Sequence, residues 1–509
     1  MDYHKLKSGS DIRGVAIEGP DSPVTLSDRA AMELTAAFAV WLARRTGRSQ
    51  LTVAVGHDSR LSAGRLLAAV KRGLAGVQVL DCGLCTTPAM FMTCVDEQTR
   101  CDGAVMITAS HLPADRNGLK FVTAQGGLEP AQIDEIITLA EAGSRLEGAG
   151  SIKPVNYLAR YAQGLKQRIA QAFPGVKLPL SGMHIVVDAG GGVGGFYAHE
   201  VLEPLGADVS GSQFLQPDGA FSGHIPNPED AGAMASVCEA TARAGADLGV
   251  IFDADMDRAG AVLKGGVGLY RNRLVALMSA MVLAQCPGGT IVTDSVTSSG
   301  LAQFIADHGG RHHRFKRGYK NVIDEAQRLV AEGVTCPMAM ETSGHCALAE
   351  NYFLDDGAYM VTKLIIFAAQ LRAKGRSLED LLAGLKEPLD AVEIRLNLPL
   401  DRFREFGQEA IHHVQDYAKI APGWSLAPDN REGIRVNLDP QHGDGWFLLR
   451  MSVHDPVMPL NIESDQAGGA LVIARQLMQL IAALPGVDAS ALGRYINRAE
   501  REQSGKGCL

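Results

Sequence analysis

No stretch of this chain is apolar for anything near the length that a bilayer crossing needs, and its first residues lack a charged-then-apolar leader. Long runs of Lys and Arg are also missing, and a formal net charge of −9 argues against general nucleic-acid binding. Paired cysteine motifs are scarce. The nine cysteines are scattered, and Cys94, Cys286 and Cys336 stand in apolar contexts that suit buried, reduced thiols. Cys82-Gly-Leu-Cys85 is a CxxC without the second CxxC or His pair that would complete a zinc site. The expectation is a cytoplasmic protein, monomer or homodimer, with no nucleic-acid and no membrane partner.

What is present is a long chain of ordinary globular composition. At 509 residues it exceeds one hydrophobic core and implies three or four domains. A hydrophobic content of 46% with 21% charged residues fits a globular protein.

One plan recurs along the chain. Leu51–Val55, His184–Val187 and Thr290–Thr293 read as strands, each running into a polar turn that begins or contains Asp58, Asp188 or Asp294. Helical stretches follow at Ala63–Leu74, around Phe196–Leu205 and at Gly300–His308, each closing on glycine (Gly76, Gly206, Gly309). Each unit then has a second strand, Gly103–Ile107, Leu248–Phe252 or Pro337–Met340, ending in the loops Thr108–His111, Asp253–Arg258 and Glu341–His345. Strand–helix–strand repetition predicts mostly parallel, helix-covered sheets, with ligands at the carboxyl ends of the strands. From about Asp390 the pattern changes. Short alternating segments (Val392–Leu396, Gly433–Leu438, Gly445–Met451) precede a helical stretch, Ala467–Leu484, and carry a fourth loop, Arg450–Pro456. The fold class is therefore α/β: three similar mixed α/β domains around a central cleft, plus a C-terminal α+β domain. The expected domains are 1–150 with the Thr108–His111 loop, 151–268 with the Asp253–Arg258 loop, 269–389 with the Glu341–His345 loop, and 390–509 with the Arg450–Pro456 loop.

The loops carry chemistry. Asp253, Asp255 and Asp257 alternate directly after an apolar strand, so all three carboxylates can converge on one hard, oxygen-liganded cation such as Mg²⁺. An EF-hand is excluded, because Arg258 and Lys264 stand where its Gly and Glu belong. A strand ending in D-x-D also resembles the first motif of haloacid-dehalogenase phosphotransferases, with Asp253 as nucleophile. That motif wants Thr or Val where Asp257 stands. Gly190–Gly195 satisfies G-x-G-x-x-G, but the acidic residue expected after the next strand is missing, so these glycines read as turn and packing residues. Arg13, Arg60, Lys120, Arg258, Lys316, Arg317, Lys320 and Arg450 punctuate the loops of a net-acidic chain and suggest a locally positive site for an anion such as phosphate.

Taken together, Ser10-Asp-Ile-Arg13-Gly, the T-A-S-H loop, D-x-D-x-D-R, E-x-S-G-H and a late R-x-S loop, in that order, resemble the α-D-phosphohexomutase superfamily and most closely its phosphomannomutase/phosphoglucomutase branch. The resemblance implies a phosphohexomutase that interconverts hexose 1-phosphate and hexose 6-phosphate through a phosphoserine and a bisphosphorylated sugar. By it, Ser110 carries the phosphoryl group, and Asp253, Asp255 and Asp257 bind Mg²⁺ together with the seryl phosphate. His111, Arg13 and Arg258 line the reacting centre, and Lys120 is the general acid/base, a role suited to a lysine flanked by other cations. Lys316, Glu341, Ser343 and His345 contact the sugar, while Arg450 and Ser452 grip its phosphate. Glucose 1,6-bisphosphate is the implied activator, and small hexose phosphates are the implied partners.

Departures are specific. Leu112 replaces an Asn after the serine loop, Ala254 and Met256 replace two glycines of the metal loop, and Val453 and His454 replace an Asn-Thr pair of the phosphate loop. His454 is either a cationic phosphate contact or a packing residue. Two other readings stay open at this point: a haloacid-dehalogenase-type phosphatase with Asp253 as nucleophile, and a non-catalytic sugar-phosphate-binding paralogue.

Overall fold

The apolar runs that the sequence marks as strands are buried on both faces, which requires helices above and below. Gly103–Ile107 is wholly buried, and in Thr52–His57 only the terminal residues reach the surface. The structure is a computed structural model describing residues 2–20, 22–452 and 455–505. The chain divides into one unit of residues 1–281 with 343–382 and another of residues 282–342 with 383–509.

The first unit begins with a mixed sheet in the order Lys7–Ser8, Asp11–Val15, Arg116–Thr123, Gly103–Ile107, Thr52–His57, Gln78–Leu84, Ser151–Pro154. Thr52–His57 pairs in parallel with both its neighbours, whereas Gly103–Ile107 and Arg116–Thr123 are antiparallel. Helix Asp28–Thr46 starts where the Ser27 hydroxyl accepts from the Ala30 N–H and stops at left-handed Gly47. Its Leu34, Phe38 and Leu42 pack on Val53, Val105 and Phe121.

A second sheet runs Val267–Leu269, Ala259–Leu263, Leu248–Phe252, Ile185–Asp188, and its last pair is parallel. The helix expected around Phe196–Leu205 is not a regular α-helix. The backbone forms a wide π-type turn at Tyr197–Leu202 and a 3₁₀ turn at Glu203–Leu205. Pro204 has no N–H to continue the α pattern. In the same unit the hairpin Cys346–Leu348/Leu354–Asp355 leads into helix Gly357–Arg372, whose first turn is capped by the Asp356 carboxylate.

In the second unit, Arg311–Arg314, Thr290–Thr293 and Met338–Met340 are parallel, with helices Ser299–Asp307 and Tyr319–Ala331 between them in sequence. The C-terminal sheet is antiparallel: Asp390–Asn397, Val457–Ser464, Gly445–Leu449, Ile434–Leu438, Trp424–Leu426. Helices Phe403–Ala418 and Gly469–Ile481 cover one face through Val414, Ile473 and Leu477. The sequence marks three of these five strands and the second of these helices; Phe403–Ala418 and the last helix, Ser490–Gly505, go unread because few large apolar side chains mark their buried faces. Three α/β repeats and a C-terminal α+β domain make up the chain. Among the described residues, no helix is long and apolar enough to cross a membrane.

Candidate active site

Within the first unit, four loops converge on Ser110. This serine lies in the loop just after the strand Gly103–Ile107, is 2% exposed and adopts φ = 50°, a left-handed conformation that non-glycine residues rarely hold. What imposes that backbone is Arg60. Its guanidinium is completely buried and donates to the carbonyls of Ser110 (2.6 Å), Leu112 (2.6 Å), Pro113 (2.6 Å) and Arg116 (2.9 Å). Asp58 anchors Arg60 from behind at 3.1 Å and also accepts from the Thr108 hydroxyl at 2.7 Å.

The metal loop faces this serine. Ser110 Oγ donates to Asp253 Oδ2 at 2.9 Å, and Arg258 Nη2 donates to Ser110 Oγ at 2.9 Å. Asp253, Asp255 and Asp257 bring one carboxylate oxygen each to within 4.8 Å of one another, and all three are buried. Burial and the adjacent Asp257 and Asp255 carboxylates push Asp253 well above the usual carboxylate range. Lys120 and His345 hold Asp257 below its usual value against the same burial. Among the described residues, Oδ1 of Asp255 and Oδ1 of Asp257 are buried without a hydrogen-bond donor. Three clustered carboxylates with two orphaned oxygens are a donor set that a hard divalent cation satisfies.

Two glycines elsewhere let the backbone of this loop come close. A Cβ on Gly192 would sit 2.7 Å from the Ala254 backbone, and one on Gly357 would sit 2.6 Å from the Arg258 carbonyl carbon. Met256 itself takes φ = 64°. The Gly190–Gly195 run therefore turns the chain and lets the metal loop approach, as its reading from the sequence expects.

Lys120 Nζ donates to Asp257 Oδ2 at 2.7 Å and lies 4.0 Å from Asp255 Oδ2. Its immediate partners are carboxylates rather than the cations that the sequence suggested. His111 Nδ1 lies 3.4 Å from Ser110 Oγ, and burial with the nearby Arg258 and Arg13 lowers its pKa to about 2, so the ring is neutral. Arg13 is tied to Asp11 at 3.0 Å and to the Ala109 carbonyl at 3.4 Å. His345 Nδ1 meets Asp355 Oδ2 at 2.5 Å. Burial opposes its charged form, but Asp355 outweighs it and raises the pKa. Asp255 is held from another side by Thr87, whose hydroxyl donates to Oδ2 at 2.5 Å.

The second unit holds the remaining candidates. Glu341 is buried, and its Oε1 accepts from the Gly318 N–H at 2.6 Å. Beneath it, Asp294 accepts from the Thr342 hydroxyl at 2.7 Å, and burial together with Glu341 pushes its pKa up to about 7. Arg450 is 8% exposed, and its Nη1 lies 3.8 Å from Glu432 Oε1. Ser452 Oγ accepts from the Asp455 N–H at 3.2 Å. Lys316 is exposed, with its Nζ over the Phe315 ring. Ser343, which follows Glu341 by two residues but belongs to the first unit, is 7% exposed. Val453 and His454 lie outside the described residues.

Sequence reasoning missed the supports. Asp355, Thr87 and Glu432 carry no motif. In the sequence Arg60 reads only as one of several loop cations; its place two residues after Asp58 at a strand end is the local signal for a guanidinium–carboxylate pair.

Comparison with known proteins is consistent with this arrangement. The chain matches the family models Phosphoglucomutase/phosphomannomutase, alpha/beta/alpha domain I over residues 4–147, domain II over 159–266 and domain III over 270–388. It is 31% identical over 440 residues to a phosphomannomutase/phosphoglucomutase of Pseudomonas aeruginosa, covering 85% of this chain and 89% of that one. It is 29% identical to a phosphoglucomutase of Neisseria gonorrhoeae, covering 89% and 92% of the two chains. A crystal structure of a phosphoglucomutase/phosphomannomutase family protein from Burkholderia thailandensis superposes with a TM-score of 0.79 at 28% identity, covering 96% of this chain and 99% of that one. The haloacid-dehalogenase and non-catalytic readings are not favoured. With three family domains matched in order and its strand-end loops built as described, the chain belongs to the phosphoglucomutase/phosphomannomutase family of the α-D-phosphohexomutase superfamily and is a phosphohexomutase.

Proposed function

We propose that the enzyme interconverts hexose 1- and 6-phosphates with Ser110 as the phosphoryl carrier. The observation that supports this most directly is the Ser110 hydroxyl, 2.9 Å from both Asp253 and Arg258 at a buried strand end. A phosphoryl group on Oγ passes to the free hydroxyl of the bound sugar phosphate: the Ser110 Oγ–P bond breaks as the sugar O–P bond forms. The bisphosphorylated sugar then reorients and returns its other phosphoryl group to Ser110. Arg258, already hydrogen-bonded to Oγ, places positive charge where the equatorial oxygens of the transferring group develop theirs. Lys120, positioned by Asp257, takes the proton of the attacking hydroxyl when neutral and, as the ammonium, returns it to the departing sugar oxygen in the reverse half-reaction. His111 lies beside Oγ, and Arg13 completes the positive wall.

Asp253, Asp255 and Asp257 would hold Mg²⁺ with the seryl phosphate; when bound, that cation supplies charge neutralisation and in-line alignment. Lys316, Glu341, Ser343 and His345 contact sugar hydroxyls, while Arg450 and Ser452 grip the non-reacting phosphate. Glucose 1,6-bisphosphate is the activator that restores phosphate to Ser110. The test is peptide mapping before and after incubation with glucose 1,6-bisphosphate. One phosphate on the peptide containing Ser110 is expected, and phosphate on Asp253 would overturn the reading. A panel of hexose 1-phosphates then identifies the preferred sugar.

A further inference from the structure

Glu432 stands just before the strand Ile434–Leu438, and its carboxylate reaches donors suited to a phosphate. Oε2 accepts from the Ser295 hydroxyl at 2.5 Å and from the Arg317 backbone N–H at 3.1 Å. Oε1 faces the Arg450 guanidinium at 3.8 Å, and the two side chains are only 14% and 10% exposed. A hydroxyl, a backbone N–H and a guanidinium are the groups that commonly hold phosphate oxygens.

Arg450 is not saturated by this contact. A separation of 3.8 Å is an ion pair without a hydrogen bond, and Arg450 Nε is buried with no hydrogen-bond partner among the described residues. Burial and Arg317 both oppose the charge on Arg450, and Glu432 is the strongest influence favouring it. The other two carboxylates acting on Arg450, Glu393 and Asp294, are engaged elsewhere, with Asn461 at 3.2 Å and Thr342 at 2.7 Å.

We propose that Glu432 is an internal stand-in for the substrate phosphate: its carboxylate occupies the Ser295 hydroxyl and the Arg317 N–H and balances the charge of Arg450 in the unliganded enzyme, and a hexose phosphate binds by taking its place beside Arg450. This rests on the reading of Arg450 as the phosphate-gripping residue. The stand-in keeps a buried guanidinium charged while the site is empty, and it makes binding an exchange of a monoanion for a dianion. Weak monoanions then gain nothing by entering.

The test uses the full-length enzyme, with glucose 1-phosphate as substrate and inorganic phosphate as competing ligand. Glu432→Gln keeps a hydrogen-bonding group for Ser295 but removes the competing charge. KM and the phosphate inhibition constant should each fall about fivefold, the scale of one partly screened charge near 4 Å, without a rise in kcat. Ser295→Ala releases the carboxylate toward Arg450, and both constants should rise. Glu432→Gln with unchanged or raised constants would mean that the carboxylate only braces Arg450, and the proposal fails. If that variant does not fold, Ser295→Ala decides: unchanged or lower constants overturn the proposal. Arg450→Gln separates the two layers, since an unchanged KM there defeats the phosphate-grip reading itself.

Discussion

Arg60→Gln should damage stability and activity together. The wild-type guanidinium satisfies the carbonyls of Ser110, Leu112, Pro113 and Arg116 and neutralises Asp58, all at a site where the Arg60 side chain has no solvent exposure. A glutamine is too short to reach the same set. It leaves Asp58 as a buried, uncompensated carboxylate, and breaking a buried pair in this way costs about 3–5 kcal/mol. That is a large share of the ~5–15 kcal/mol that stabilises a typical domain. Activity should fall further than stability, because the lost bonds set the backbone of Ser110, and a displacement of about 1 Å at a reacting group costs on the order of a hundredfold in rate.

A multidomain chain does not unfold in one step, so the stability loss is best read by hydrogen exchange on the peptides spanning residues 103–120, compared with peptides from the C-terminal sheet. Arg60→Lys is the discriminating control: it keeps the charge but lacks the planar fork, and should recover only a small part of either loss. Unchanged protection of residues 103–120 in Arg60→Gln, with turnover within about twofold of wild type, would refute the view that this guanidinium shapes the serine loop.

Asp255→Ala should lower turnover by about a hundredfold or more and abolish its dependence on added Mg²⁺; kcat measured across a Mg²⁺ titration checks this. Ser110→Ala should accept no phosphate from glucose 1,6-bisphosphate, seen as an unchanged intact mass. The His224–Asp188 contact, with Nε2 3.0 Å from both carboxylate oxygens, overrides burial and raises the histidine pKa. The stabilisation it gives is fully present below the ordinary histidine value near 6.5 and lost as pH rises through the raised value. Urea midpoints should therefore drop between pH 6 and 9, and His224→Gln should flatten that slope. Gly192→Val should push the metal loop away, since even a Cβ there would sit 2.7 Å from the Ala254 backbone, and Mg²⁺ affinity measured by calorimetry should fall.

Period and composition made the central strands and the strand-end loops readable. Gly103–Ile107 and Leu248–Phe252 are apolar on both faces, and the residues that follow them are polar in a way that burial alone would not select. The alternating carboxylates of Asp253, Asp255 and Asp257 were legible for the same reason. The irregular turn at Tyr197–Leu205 was not, because local helix propensity conceals what Pro204 does to the hydrogen-bond pattern. Asp355 and Glu432 act through partners 10 and 18 residues away in sequence, on pairings that only the fold creates. Lys120 shows the same limit: its charge was readable, its neighbours were not.

The left-handed backbone of Ser110 sets activity against robustness. At φ = 50° a glycine would sit without strain, a gain that offsets part of the two lost hydroxyl contacts, so Ser110→Gly should fold nearly as firmly as the native chain while having no hydroxyl to phosphorylate. A laboratory screen that rewards heat resistance alone would therefore tolerate a dead enzyme at this position. Selection on turnover keeps a hydroxyl at a backbone position that suits glycine better.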